Sequence, residues 1–236
     1  MSKPQILCFP QAGADSQSFM TWQSLIGTRA EIYPVALPGR GVRLDEPPLH
    51  NFEELCDQIC SEIVGSAKAP FFVMGSSMGG WMAYEIAYRL EQRGLALKGI
   101  IVLCSPMPAA QQKLPELDNP ETVAADIIGV NPVFEEVTQY PELLELILPT
   151  LRADFRMCNR YRPNLQHKVF APILGFSGMN DTLVTTEAMR GWATITKTDF
   201  NLFEVAGDHS LHENPVAEMI EQVCTFLDAT VSVKVG

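Results

Sequence analysis

One serine stands in a pattern that is typical of an activated nucleophile. Ser77 is the centre of the pentapeptide Gly75–Gly79, a Gly-x-Ser-x-Gly sequence that follows the apolar run 71–74. In a nucleophile elbow a strand enters a sharp turn that exposes the serine hydroxyl, and glycines flank the serine because side chains there would collide with neighbouring elements. We therefore predict that Ser77 is a nucleophile. The alternative is a plain turn between two core elements.

A serine hydroxyl is a weak nucleophile at neutral pH, so it needs a histidine base that an acid holds in place. Of the four histidines, His50 precedes the serine in a loop and His167 precedes a predicted strand. His209 and His212 both follow the last predicted strand, 199–205. We favour His209 because it lies nearer the carboxyl end of that strand, where an open α/β sheet places its site. His212 would then cap the following helix or face solvent.

Two aspartates are candidates for the orienting acid. Asp181 lies one short turn past the predicted strand 169–176, where its carboxylate could reach the imidazole of His209. Asp208 is adjacent to His209, and neighbouring side chains diverge, so it is the weaker candidate. The ordinary alternative for Asp181 is an Asx turn.

The tetrahedral oxyanion of such a reaction needs two N–H donors. We predict that one is the amide of Met78, directly after the nucleophile at the start of a helix. The loop after the first strand should supply the other, and we favour the amide of Ala12, with that of Gln11 as the alternative.

Strands alternate with helices along most of the chain, which predicts an α/β fold with a mostly parallel sheet flanked by helices. Pro34 places the second strand near an edge of the sheet, because proline cannot donate to a strand ladder. The predicted strands are 5–9, 31–37, 71–74, 98–104, 169–176 and 199–205. The predicted helices cover approximately residues 18–26, 52–63, 81–93, 187–192 and 215–227.

The alternation stops between residues 106 and 163. This stretch holds several prolines and two apolar helical patterns, at 123–128 and 143–151. A long insertion between two strands is usually functional, so we predict one domain, 1–236, that carries a helical lid insertion at 106–163. The alternative is ordinary helical covering of the sheet.

The composition excludes several classes of protein. A net charge of −11 over 236 residues argues against nucleic acid or an anionic membrane as a partner. No apolar run approaches the ~18 residues of a membrane span, and the N-terminus lacks an apolar signal segment, so we expect a cytoplasmic protein. Cys56 and Cys60 have helical spacing, but no further His/Cys set accompanies them. We therefore expect buried, reduced thiols and no metal site.

Taken together, six segments in this order resemble the type II thioesterases, the stand-alone α/β-hydrolases of non-ribosomal peptide and polyketide assembly lines. The segments are Cys8–Gly13 (family pattern cFPyAGg), Leu37–Arg43 (lPGRg-x-R), Gly75–Gly80 (GHSMGG), Leu148–Asp154 (lP-x-lraD), Gly178–Asp181 with Trp192, and Gly207–Leu211 (GgHFFl). The resemblance implies an α/β-hydrolase fold, and the triad of the family falls on Ser77, Asp181 and His209.

The resemblance also implies an activity. Such enzymes hydrolyse acyl groups that are tethered as thioesters to the phosphopantetheine arm of acyl or peptidyl carrier domains, and so clear misprimed or stalled chains. No cofactor is implied, and we expect a monomer. The alternatives are a general carboxylesterase, lipase or acyltransferase that acts on small esters, or a non-catalytic binding module.

The chain departs from the family pattern at three places near the predicted pocket. Ser76 replaces a histidine, Gln11 a tyrosine, and Asp208–Ser210 a Gly-His-Phe segment. Substrate preference is therefore not carried over. Arginines at matching positions, Arg40, Arg43 and Arg152, could bind a phosphate or an acidic carrier, or pair with local carboxylates such as Asp45, Glu46 and Asp154.

Overall fold

The computed structural model describes residues 3–66, 70–95, 97–107, 110 and 113–232. These residues form a six-stranded sheet in which every neighbouring pair of strands is parallel. Its strands are β1 (Gln5–Phe9), β2 (Glu31–Pro34), β3 (Phe71–Ser76), β4 (Leu97–Leu103), β5 (Ile173–Gly178) and β6 (Phe200–Val205). The order β2-β1-β3-β4-β5-β6 places β2 at an edge, as Pro34 predicts.

Eight α-helices connect or cover these strands in the described part of the chain. They are α1 (Trp22–Ile26), α2 (Phe52–Ser66), α3 (Met78–Gln92), α4 (Val123–Val130), α5 (Glu135–Thr138), α6 (Pro141–Arg160), α7 (Thr186–Arg190) and α8 (Ala217–Ser232). None of them is long and apolar enough to cross a membrane.

The sheet is covered on both faces because its strands are apolar on both. In β1, Leu7 and Phe9 join a core that includes α2 and α3, while Ile6 and Cys8 join a second core with α1 and α8. Successive side chains of a strand point to opposite faces, so a strand that is buried on both sides is a continuous apolar run. The α/β-hydrolase arrangement predicted from the sequence is therefore observed.

The region 106–163 forms helices and no strand among its described residues; residues 108, 109, 111 and 112 of the predicted insertion lie outside them. Its helices α4 and α6 share a small core of their own, which is separate from the two cores of the sheet. The members of this core are Leu117, Val123, Ile127, Leu151 and Phe155. Helix α6 is longer than the predicted segment 143–151, and it continues past Pro149 to Arg160.

The six cysteines are all free thiols. Five of them are buried, and burial raises the pKa of Cys56, Cys104 and Cys158 well above the usual value. Cys224 on α8 is only half buried. Since the thiolate is the reactive form, the buried thiols should be inert in the folded protein.

We therefore expect a thiol reagent such as DTNB to modify one cysteine, Cys224, rapidly in the native protein, and all six after denaturation. A Cys224→Ser variant should lose the rapid phase. Two or more rapid native thiols would contradict the packing described here.

Candidate active site

Ser77 lies at the sharp turn between β3 and α3. Its φ of 53° and ψ of −118° are strained for a residue with a side chain, at a cost on the order of 1–3 kcal/mol. Three hydrogen bonds fix the turn: the Ser77 amide donates to the carbonyl of Leu103 at 2.9 Å, and the Ser77 carbonyl accepts from the Gly80 amide at 2.9 Å and from the Ser105 hydroxyl at 2.7 Å. This is the geometry of a nucleophile elbow.

The glycines beside Ser77 are required by close contact. A Cβ atom at Gly75 would lie 1.9 Å from the carbonyl oxygen of Gly79, and one at Gly79 would lie 2.2 Å from that of Phe9. No real Cβ atom tolerates such distances to a backbone atom. The helix after Ser77 therefore packs directly on β3 and β1 only because both positions are glycine.

Asp181 and His209 form a hydrogen-bonded pair, with 2.9 Å between Asp181 Oδ2 and His209 Nδ1. They follow the neighbouring strands β5 and β6, whose loops are tied by backbone bonds from Met179 to Val205 and from Asn180 to Gly207. This explains why two residues 28 positions apart meet, and it is the contact that the sequence predicts.

The local environment keeps the Asp181 carboxyl ionised. Burial by itself would raise its pKa, but the hydrogen bond and charge of His209, with the amides of Leu183 and Val184, outweigh burial and hold the pKa below its usual value. Those two amides donate to Asp181 Oδ1 at 2.8 and 3.0 Å. The carboxylate thus has one oxygen for the backbone and one for the imidazole.

Asp208 and His212, the alternatives for the acid and the base, make other contacts. Asp208 accepts a hydrogen bond from the amide of Ser210 at 2.8 Å. His212 is completely buried beside Phe19, with its Nδ1 3.2 Å from the hydroxyl of Ser76. The expectation that His212 caps a helix or faces solvent is therefore wrong, because the chain turns this side chain inward under the elbow.

A cavity of about 620 Å³ opens between the carboxyl end of the sheet and the insertion. Ser77, Met78, Ala12 and His209 all contribute to its wall, so the predicted nucleophile, base and oxyanion donors share one space. Most other lining residues are apolar or small; they include Trp81, Pro106, Leu114, Val130, Phe134, Phe155, Leu183 and Val184.

The loop that holds Ala12 is fixed by a buried ion pair that the sequence alone did not predict as part of the site. Asp154, on α6, accepts a 2.8 Å hydrogen bond from the amide of Gly13 and pairs with both terminal nitrogens of Arg40 at 2.6 and 2.9 Å. Both charged side chains are almost completely buried. The sequence offers Asp154 only as one of several carboxylates with which an arginine could pair, and gives no sign of its bond to the Gly13 amide.

The other two candidate arginines are also paired. Arg43 contacts Glu46 and Glu62, and Arg152 donates to the carbonyl of Leu117. The alternative of pairing with carboxylates holds for Arg40 with Asp154 and for Arg43 with Glu46, whereas no contact of Asp45 with these arginines is found among the described residues. Arg152 lies 4.0 Å from Asp118.

Cys104 lies beside the Asp181–His209 pair, and one ligand atom from each of the three residues lies within 4.8 Å of the others. Burial raises the pKa of the Cys104 thiol, and its Sγ donates to the carbonyl of Asp208 at 3.5 Å. Metals bind the thiolate, so these contacts favour a protonated neighbour of the pair over a metal ligand.

The parallel sheet, the elbow at Ser77 and the Asp181–His209 pair after the last two strands are those of an α/β-hydrolase. A family model described as a thioesterase domain matches residues 4–230. The chain therefore belongs to the thioesterase family.

The chain is also similar to individual proteins with known names. The gramicidin S biosynthesis protein GrsT of Aneurinibacillus migulanus is 29% identical over 99% of this chain and 93% of its own length. The AMB antimetabolite synthetase AmbE of Pseudomonas aeruginosa is 31% identical over 94% of this chain, which spans only 10% of AmbE. Among solved structures, the type II thioesterase BorB from the borrelidin biosynthetic cluster superposes with a TM-score of 0.85 at 29% identity, over 96% of this chain and 93% of BorB.

The buried ion pair leads to a stability prediction. Asp154→Asn leaves the Arg40 guanidinium buried without its counter-charge, so we expect the free energy of unfolding to fall by about 3 kcal/mol or more. Asp228→Asn, which removes the partner of Arg29 in a surface ion pair, is the matched control and should cost at most about 1 kcal/mol. Urea unfolding of both variants gives the comparison, and equal losses would contradict the role of the buried pair.

The lowered pKa of Asp181 gives a pH prediction. A carboxyl whose pKa is lower in the folded state stabilises the protein above its unfolded-state pKa of about 3.9, and this contribution disappears as the pH falls through the folded-state value. The difference in unfolding free energy between the wild type and Asp181→Asn should therefore be larger at pH 6 than at pH 3. A difference of the same size at both pH values would contradict an ionised, stabilised Asp181.

Proposed function

We propose that this thioesterase hydrolyses acyl groups from the phosphopantetheine arms of acyl or peptidyl carrier protein domains, with Ser77, His209 and Asp181 as its catalytic triad. One observation carries the proposal: Ser77 and His209 share the wall of one largely apolar cavity, and Asp181 contacts Nδ1 of His209, which leaves Nε2 as the nitrogen that can act on Ser77. The biosynthetic names of GrsT and BorB support a carrier-bound substrate.

The first half of the reaction forms an acyl-enzyme. Ser77 Oγ attacks the thioester carbonyl carbon while His209 Nε2 takes the hydroxyl proton, and Asp181 stabilises the resulting imidazolium. The amides of Met78 and Ala12 donate to the oxyanion. When the C–S bond breaks, His209 returns the proton to the sulfur, and the carrier leaves as a free thiol. A thiol with a pKa near ~8.5 is a good leaving group.

The second half releases the acid. His209 removes a proton from water, the hydroxide adds to the acyl-serine carbonyl, and the oxyanion again lies at Met78 and Ala12. The Ser77–acyl bond breaks, and His209 returns the proton to Ser77 Oγ. Asp181 keeps Nδ1 protonated in both the neutral and the imidazolium form, because its carboxylate oxygen, 2.9 Å from Nδ1, can only accept a hydrogen bond.

The insertion 106–163 acts as a lid in this proposal. Its residues supply one side of the cavity, including Pro106, Leu114, Val130 and Phe134. An acyl chain bound there would lie against apolar side chains and away from water, which favours apolar or mixed acyl groups. The proposal also places the enzyme in the cytoplasm as a monomer, where its six free thiols would remain reduced.

The test is release of free acid from an acyl-phosphopantetheinyl carrier domain. We expect rapid hydrolysis by the wild type and a loss of at least about 10³-fold in kcat for Ser77→Ala, because the nucleophile is removed while residual site contacts remain. Ser18→Ala, at a serine outside the cavity, is the matched control and should retain activity.

Two outcomes would contradict the proposal. A Ser77→Ala variant that retains most activity would exclude Ser77 as the nucleophile. Serine-dependent cleavage of a small diffusible ester, with no release from any carrier, would retain the triad and identify a carboxylesterase or acyltransferase instead.

A further inference from the structure

The carboxylate of Asp154 contacts the loop that carries the predicted oxyanion donor. Its Oδ2 atom accepts from the Gly13 amide at 2.8 Å and from Nη1 of Arg40 at 2.6 Å. Its Oδ1 atom accepts only from Nη2 of Arg40, at 2.9 Å, among the described residues. The side chain is completely buried. A single oxygen atom, Oδ2, therefore serves both the loop and the arginine.

The four amides of this loop divide into two pairs. The Gly13 amide donates to Asp154, and the Ala14 amide donates to the carbonyl of Gln11 at 3.1 Å. The other two amides, of Gln11 and Ala12, donate to no protein acceptor in the described part of the chain. These are the two predicted alternatives for the oxyanion donor, and both residues line the cavity.

The two bonded amides fix the two peptide units that flank Ala12. The carbonyl and N–H groups of a planar trans peptide point in opposite directions. The bond from Ala14 to the carbonyl of Gln11 therefore sets the direction of the Ala12 N–H, which belongs to the same peptide unit. The next peptide unit, between Ala12 and Gly13, is held by Asp154 through its N–H.

Helix α6 also presses on this loop through an apolar contact. A Cβ atom at Gly13 would lie 2.5 Å from Cδ1 of Leu151. Leu151 and Asp154 are three residues apart on the helix, so they lie on the same face. A charge-assisted hydrogen bond and an apolar contact from one helix thus meet at the residue that follows Ala12.

We infer that Asp154 is a positioning residue of the reaction: by holding the Gly13 amide, it fixes the loop in which the Ala12 N–H donates to the oxyanion. This inference rests on the proposed function. A donor stabilises an oxyanion most when it is oriented before the oxyanion forms. The carbonyl of the bound substrate carries less charge than the oxyanion, so a misplaced donor should lower kcat more than it raises KM.

Two variants separate this role from the contribution of the buried pair to stability. Asp154→Asn can retain an oxygen at the position of Oδ2, and with it the acceptor for Gly13, although it removes the counter-charge of Arg40. We expect it to keep most of its kcat. The double variant Arg40→Met with Asp154→Leu removes both buried charges, which is often neutral for stability, but it also removes the acceptor for Gly13. Its kcat should fall about 10- to 100-fold with little change in KM.

Thr150→Val is the matched control. Thr150 lies on the same helix, and its Oγ1 donates to the carbonyl of Gly39 at 2.7 Å, so this variant removes a contact of α6 that does not involve the loop of Ala12. We expect an unchanged kcat. All variants are compared at a temperature at which their thermal unfolding curves show that they are folded.

The assay uses an acyl carrier thioester, a p-nitrophenyl ester and an alkylboronic acid. The boronic acid forms a tetrahedral adduct with a serine and so imitates the transition state. The double variant should lose activity on both substrates by a similar factor, since both reactions form the same oxyanion. It should lose affinity for the boronic acid as well, which a loss of folded protein alone would not produce in the folded fraction.

The outcomes separate the inference from the proposed function. A double variant with the kcat and the boronic acid affinity of the wild type would overturn the inference. An equal loss of kcat in Asp154→Asn would also overturn it, because activity would then follow the buried charges and not the acceptor for Gly13. If the wild type cleaves the p-nitrophenyl ester through Ser77 but releases no acid from the carrier, the proposed substrate is wrong. The same comparison on the ester then supports or overturns the role of Asp154.

Discussion

The close approach of helix α3 to strands β1 and β3 is the constraint on which the site depends. It requires glycine at positions 75 and 79, where a Cβ atom would lie 1.9 and 2.2 Å from backbone carbonyl groups. Because β1 and β3 are neighbours in the sheet, neither strand can move away without breaking their ladder. The same contact brings the first turn of α3 next to the loop after Phe9, so Met78 and Ala12 line one cavity. The strained backbone at Ser77 is held by these surroundings.

A second constraint joins this loop to the insertion. The carboxylate of Asp154 is costly to bury alone, and it is stabilised only where Arg40 and the Gly13 amide meet it. Helix α6 consequently has two parts. Its C-terminal half is packed, with Leu151, Asp154 and Phe155 buried, whereas Leu143 and Leu146 in its N-terminal half are about half exposed. Displacing Asp154 would also displace the loop of Ala12, so the C-terminal half of α6 belongs to the fixed framework of the site.

The sequence predicted those parts of the site that local pattern and strand order determine. Ser77 follows from its pentapeptide, and Asp181 and His209 follow from their places after the last two strands; the structure brings the latter two together at 2.9 Å. Contacts between distant segments were not predictable from local pattern. Asp154 lies 114 residues from Arg40 and 141 from Gly13, and no periodicity reports such a pairing. Strand boundaries are also hard to predict from local pattern. Strand β2 ends at Pro34 and not at residue 37, although the Val35 amide still donates to the carbonyl of Cys8.

The contact between His212 and Ser76 concerns one departure from the family pattern. In the pattern GHSMGG a histidine precedes the nucleophile. This chain has Ser76 at that position, and its side chain contacts His212 at 3.2 Å across 136 residues of sequence. A serine is small enough to leave room for an imidazole under the elbow, and its hydroxyl gives the buried Nδ1 of that imidazole a hydrogen-bond partner. The loop that carries His209 and His212 is thereby tied to the last residue of strand β3, directly before Ser77. The serine at position 76 is therefore explained by its contact with His212 and not by its neighbours in sequence.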